Sequence, residues 1–143
     1  MSELQALYQD TIRRHAAQPV GLDADIRATH QHELFNAQCG DRVHVKLRLT
    51  GDTIEAAAFE GEGCAICMAS ASLLCTHLPG QTRSDARRLH GELAALLKGD
   101  GAARPADPLA PLAGVRPYPS RVHCALLPWR AAERALQQDS DPA

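Results

Sequence analysis

Residues 42–60 read RVHVKLRLTGDTIEAAAFE, and their periodicity decides the fold. Val43, Val45, Leu47 and Leu49 alternate with His44, Lys46 and Arg48. That is the period of a strand with one face on a core and one face in water. Gly51-Asp52 is a tight reversal, and residues 53–60 return as the next strand. So short a reversal implies antiparallel pairing, because parallel strands need a long crossover. A further strand is expected upstream at residues 29–35, making a three-stranded antiparallel sheet.

Outward from the sheet the pattern is helical. Residues 3–16 place Leu4, Leu7, Tyr8 and Ile12 at helical spacing, with Arg13 and Arg14 at the C-terminal end, where cations meet the negative end of the dipole. Pro19 and Gly21 break that helix. A second helix is expected at 64–78, closed by Pro79-Gly80. A third starts near Thr82 or Ser84 and stops at Gly99, burying Leu89, Leu93, Leu96 and Leu97. Residues 99–119 hold five prolines and read as an ordered excursion with at most one helical turn, at 111–113. The last helix is expected at 120–136 with Ser120 as its N-cap, followed by a disordered polar tail at 137–143. The expectation is one α+β domain over residues 1–136, its helices packed mainly on one face of the sheet.

Composition narrows the function. The 143 residues suit a single core, and 45% of them are apolar but only 3% aromatic, so the core must be aliphatic and rich in alanine. A net charge of -2 with no basic stripe argues against nucleic acid as a partner. The charged N-terminal stretch does not resemble a secretory signal. The longest apolar run, residues 64–75, is too short to span a bilayer. A cytoplasmic location with no membrane partner is the expectation. In a reducing compartment, five cysteines point to metal binding, reactivity or core packing rather than to disulfides.

Three of those cysteines sit at expected junctions between elements: Cys39 in NAQCGDR, Cys64 in GEGCAI and Cys124 in RVHCAL. A thiolate near a helix N-terminus is favoured by the dipole and by free backbone N–H groups. Asp41, two residues beyond Cys39, can point to the same side, and His123 adjoins Cys124. This set has enough donors for a tetrahedral zinc or an iron–sulfur cluster. Spacing alone leaves a second reading equally open, in which three small cysteines are simply buried.

The motifs CGDRV, GDTIEAAAFEGEGCAICMASASLL and YPSRVHCALLPWRAAERAL, in that order, resemble the U-type iron–sulfur assembly scaffolds, the SufU, IscU and NifU N-terminal family. The excursion at 99–119 is similar to the insertion of the SufU branch. The resemblance implies a SufE/NifU-like fold and a metal site of Cys39, Asp41, Cys64 and Cys124, holding zinc. It implies a sulfurtransferase-like accessory protein rather than a free-standing enzyme. That protein takes persulfide sulfur from a SufS-type cysteine desulfurase onto Cys39 and passes it to the SUF machinery. Two alternatives stay open. One is a scaffold on which a [2Fe–2S] cluster is assembled and handed on. The other is a domain merely stapled by metal.

Several residues depart from the family pattern or stand beside the site. His123 occupies a position where the SufU branch usually carries Lys and the IscU branch His, so it is a candidate competing ligand or an exposed imidazole. Arg121 could offset the charge of three thiolates and a carboxylate around Zn²⁺, or be a solvated arginine. Cys67 makes a C-x-x-C with Cys64, which would suggest redox chemistry in a thioredoxin-like setting. With an antiparallel sheet, a packed helix residue is the preferred reading, as it is for Cys75, while its place one turn on from Cys64 leaves Cys67 open as an auxiliary thiol near the metal. His30, His32, His44, His77 and His90 share no ligand spacing and are expected at the surface. The pairs Arg13-Arg14 and Arg87-Arg88 are expected on solvated helix faces.

Overall fold

The computed structural model describes residues 3–99 and 108–138, without the Leu4 side chain. Three strands, β1 (His30–Asn36), β2 (Asp41–Thr50) and β3 (Thr53–Glu62), pair antiparallel in the order β1-β2-β3. Among the described residues four α-helices accompany them: α1 (Glu3–Ala17), α2 (Ala65–His77), α3 (Arg83–Lys98) and α4 (Pro119–Gln137). The expected α+β class is therefore the observed one. None of the helices, among the described residues, is long and apolar enough to cross a membrane.

The alternation in β2 survives intact. Val43, Val45, Leu47 and Leu49 are buried while Arg42, His44, Lys46 and Arg48 face outward. Each fully buried aliphatic side chain contributes roughly 1.5–3 kcal/mol of transfer free energy. The outer charges are paired, Arg42 with Glu33 at 2.8 Å and Lys46 with Glu60 at 2.8 Å. β3 runs two residues past its expected end, to Glu62. Gly61 makes this possible: at φ +136 it lies so close to β2 that a Cβ would sit 2.0 Å from the Arg42 carbonyl oxygen. The outer edge of β3 is also covered, since Phe59 donates its amide to Gly21 at 3.0 Å and accepts from Asp23 at 2.7 Å. The segment around Gly21, expected as a break after α1, also shields an edge that would otherwise invite pairing.

α2 is buried on nearly every side, between α1, α4 and β3. Its alanines and serines permit this close approach, and Ser70 Oγ donates to the Ala125 carbonyl at 2.6 Å. α3 is amphipathic and closed at both ends. Thr82 and Asp85 form a reciprocal capping box, and Gly99 ends the helix in the left-handed conformation.

The sequence expectations need correction at five places. Leu7 is 55% exposed, so the buried face of α1 turns toward Tyr8 and Ile12 instead. His30 is only 5% exposed: it starts β1 on the inner face, beside Thr29 Oγ1 (2.8 Å) and Arg83 Nη2 (3.2 Å). The single turn expected at 111–113 is a longer 3₁₀ helix, Ala110–Val115, whose Leu112 and Val115 join the core. Residues 100–107 of the excursion lie outside the described residues. Ser120 is not the cap of α4. The cap is Tyr118, and Pro119 occupies the first helical position, where its missing N–H has no consequence. Finally, Gln137 belongs to α4 and the Gln138 side chain donates from Nε2 to the Gln31 carbonyl at 2.8 Å; the remainder of the expected tail, 139–143, is outside the described residues. The arginine pairs do lie on exposed helix faces.

Candidate metal centre

Three elements converge at one end of the sheet. The β1–β2 loop, residues 37–40, is closed by Gly40 at φ +74, whose amide donates to the Asn36 carbonyl at 2.8 Å. This loop carries Cys39 and delivers Asp41 as the first residue of β2. The end of β3 and Gly63 deliver Cys64 as the N-cap of α2. α4 supplies Cys124 from its second turn. Pro128, four residues later, has no amide hydrogen for the Cys124 carbonyl, so the helical ladder is interrupted at this turn.

Cys39, Asp41 and Cys124 are drawn together, with one ligand atom of each within 4.8 Å of the others. The Cys39 and Cys124 sulfurs are 3.8 Å apart. That equals the edge of a tetrahedron with metal–sulfur bonds of about 2.3 Å, roughly 3.8 Å. Asp41 is 2% exposed; its Oδ1 accepts the Cys64 amide at 3.0 Å, while Oδ2 has no hydrogen-bond partner among the described residues. A buried carboxylate oxygen without a partner is costly unless something cationic meets it. The donor types and the orphaned oxygen thus fit a divalent metal with sulfur preference.

Cys64 stands at the edge of this triangle. Its Sγ accepts the Cys67 amide at 3.4 Å, a helix-capping contact. It is still close enough to act on Cys124, whose thiol is pushed up by burial first and then by interactions with Asp41 and Cys64. Cys39 and Cys64 are exposed residues and Cys124 is buried, so the site opens to solvent on the side of Cys39 and Cys64.

The remaining candidates separate. Cys67 is buried one turn along α2, its thiol pushed up to about 12 by burial and then by the negative field of Asp41, Cys64 and Cys39. Cys75 is buried further on and likewise raised to about 12 by burial; it packs against Gly21, where a Cβ would come 2.8 Å from its sulfur. His123 is exposed and falls outside the gathered ligand group. Arg121 is exposed with its guanidinium 4.7 Å above the Tyr118 ring, a cation–π contact. Sequence reasoning missed the depression beside Cys39, about 300 Å³, lined by Phe35, Gln38, His123, Leu127 and Arg130 among others. Phe35, 63% exposed on the outer face of β1, was the available signal: a large apolar residue left in water at the edge of a site.

With this fold and this gathering of thiols and carboxylate, the class follows. Residues 7–139 match the family described as NifU-like N terminal domain, and the chain belongs to that family. Among curated proteins it is similar to the zinc-dependent sulfurtransferase SufU of Bacillus subtilis strain 168, 31% identical over 96% of this chain and 95% of that protein. It is also similar to the iron–sulfur cluster assembly scaffold protein IscU of Streptococcus pyogenes serotype M1, 27% identical over 99% and 89%. Among solved structures it resembles one described as a putative iron–sulfur cluster assembly scaffold protein for the SUF system (FiSufU) from Fervidobacterium islandicum AW-1. The TM-score is 0.77 and the identity 30%, over 96% of each chain.

Proposed function

We propose that this protein is a zinc-containing sulfur-transfer partner in iron–sulfur cluster assembly, accepting persulfide sulfur from a SufS-type cysteine desulfurase. Cys39, Asp41, Cys64 and Cys124 would hold the zinc, with His123 and Arg121 outside the donor set, at its rim. The chain acts as one domain over residues 1–136, with 99–119 as the SufU-type insertion, in the cytoplasm, a reducing compartment that suits five cysteines without a disulfide. The observation that carries the reading is Asp41: a buried carboxylate with one oxygen unpartnered among the described residues, set among thiols.

Bound zinc would supply charge that keeps its thiol ligands deprotonated at neutral pH. The chain's own residues do the rest. Cys39 is the acceptor best suited by position, because it is exposed on a short loop, whereas Cys64 caps a helix and Cys124 is buried. Its thiolate attacks the outer sulfur of the desulfurase persulfide; the sulfur–sulfur bond there breaks and the desulfurase cysteine leaves as a thiolate. Asp41 is a harder, weaker partner for zinc than a thiolate, so a site including it releases Cys39 more readily than four cysteines would. Asp41 Oδ1 meanwhile keeps Cys64 in place through its amide. The depression next to Cys39, with Phe35, Leu127 and Arg130, offers mixed apolar and cationic surface for the desulfurase.

Protein prepared without oxygen should contain zinc, should stimulate desulfurase turnover, and should carry radiolabelled sulfur from cysteine on Cys39. Absence of both stimulation and label would overturn transfer. Iron with acid-labile sulfide in place of zinc would favour the [2Fe–2S] scaffold that the likeness to IscU suggests.

A further inference from the structure

Cys67 is the thiol nearest the candidate centre that the donor set leaves unused, and its placement is specific. Cys64 caps α2 with extended backbone (φ -66, ψ 167), is exposed, and its Sγ accepts the amide of Cys67 at 3.4 Å. Cys67 lies three residues later on the first helical turn, and helical side chains lean toward the N-terminus. Its side chain does so here: a Cβ on Gly63 would meet Cys67 Cβ at 3.0 Å, its Sγ at 3.1 Å and Asp41 Oδ1 at 3.3 Å. Both sulfurs therefore belong to the same end of α2, one reachable from solvent and one beneath it.

We propose that Cys64 and Cys67 form a reversible dithiol–disulfide pair that exchanges with low-molecular-weight disulfides. The Cys64 thiolate attacks one sulfur of such a disulfide, RSSR, and RS⁻ leaves, giving a mixed disulfide on Cys64. The RS⁻ expelled first takes up the Cys67 proton as the Cys67 sulfur attacks the Cys64 sulfur and expels the second RS⁻. Two protein thiols are oxidised, RSSR is reduced to two RSH, and the two protons released end on those thiols. Closing a ring between positions one turn apart needs little chain movement. Joining Cys39 to Cys124 would instead tether the β1–β2 loop to α4 across separate elements, although their sulfurs are 3.8 Å apart. The pair turns the capping cysteine into an oxidation-sensitive group. In the proposed zinc protein this would withdraw Cys64 from the metal, a consequence that rests on the function proposed above.

The test uses the full, reduced chain and glutathione disulfide. After alkylation, trypsin yields residues 49–83 as one peptide carrying Cys64, Cys67 and Cys75. The expected product is this peptide lighter by two hydrogens before label, alkylated on Cys75 alone, with fragment ions linking Cys64 to Cys67. Cys67→Ser should accumulate the glutathione adduct on Cys64 several-fold above the native chain. A main product linking Cys39 to Cys124, or an equal and stable adduct on Cys64 in the native chain, would overturn the proposal; the peptide map on the native chain decides even if the variant misfolds. Zinc release measured on loaded samples separates the two readings. A chain that forms the disulfide yet retains all its zinc upholds the pair and removes Cys64 from the donor set.

Discussion

Asp41 carries two loads. Its Oδ1 holds the Cys64 amide and its Oδ2 is buried without a hydrogen-bond partner among the described residues. An uncompensated buried charge destabilises the metal-free chain, and a bound cation reverses the sign. Asp41→Asn keeps an oxygen for the Cys64 amide and removes the charge. The metal-free variant should therefore be more stable than the native chain by about 1–2 kcal/mol, roughly 2–8 °C in Tm. Added Zn²⁺, in contrast, should raise its Tm far less than that of the native chain. Thermal melts with and without Zn²⁺ check both signs. Equal zinc-induced shifts in the two proteins would show that Asp41 is no ligand.

The hairpin and α2 set the positions of Asp41 and Cys64, and glycines set the hairpin. A methyl group on Gly61 would collide with the Arg42 carbonyl at 2.0 Å, next to Asp41 on β2, in a backbone conformation that L residues avoid. Gly61→Ala should cost about 3 kcal/mol or more and should loosen the site together with the sheet end. Gly51, at φ +60 with nothing within 4 Å of its would-be Cβ, is the control; Gly51→Ala should cost only about 1–2 kcal/mol, from strain alone. Urea midpoints rank the two, and equal losses would refute the steric argument. On α3, Thr82→Ala removes one half of a capping box and should cost about 1 kcal/mol by the same measurement.

Across the molecule, α1 docks on α2 and on the 3₁₀ helix, and one hydrogen-bonded junction ties it down. His15 Nδ1 lies 2.6 Å from Ser72 Oγ, which also accepts the Val20 amide at 2.7 Å. The hydroxyl proton is thus left for an unprotonated Nδ1, and protonating His15 takes that acceptor away. Burial, with Arg14 next, lowers the His15 pKa below 6.5, and burial, with His15 next, lowers that of His77. The folded chain binds protons less readily than the unfolded one, so this stabilisation is present above pH 6.5 and fades as pH falls through the lowered values. Proton NMR should show both imidazoles titrating below 6.5. Urea stability should fall as pH drops from about 7 to about 5, with a shallower slope for His15→Gln. A His15 midpoint above 6.5 would contradict the burial argument.

Local patterning by itself determined the sheet, the helices and their order. The period-two run of 43–49, the Gly51-Asp52 reversal and the Leu stripe of α3 each state their burial in the identities of neighbouring residues. The motifs around Cys39, Asp41, Cys64 and Cys124 likewise singled out the residues of the proposed site, of which the fold gathers Cys39, Asp41 and Cys124. Distance and burial between remote segments belong to tertiary structure, because no local period reports them. Leu7 faces water and His30 does not, since each depends on which element lies across from it. Only the assembled fold set Cys39 against Cys124, left Asp41 Oδ2 buried and unpaired among the described residues, and kept His123 at the rim. It also turned Cys67 back toward Gly63, beside the capping Cys64, because the close packing of α2 on the sheet fixes where that first helical turn points.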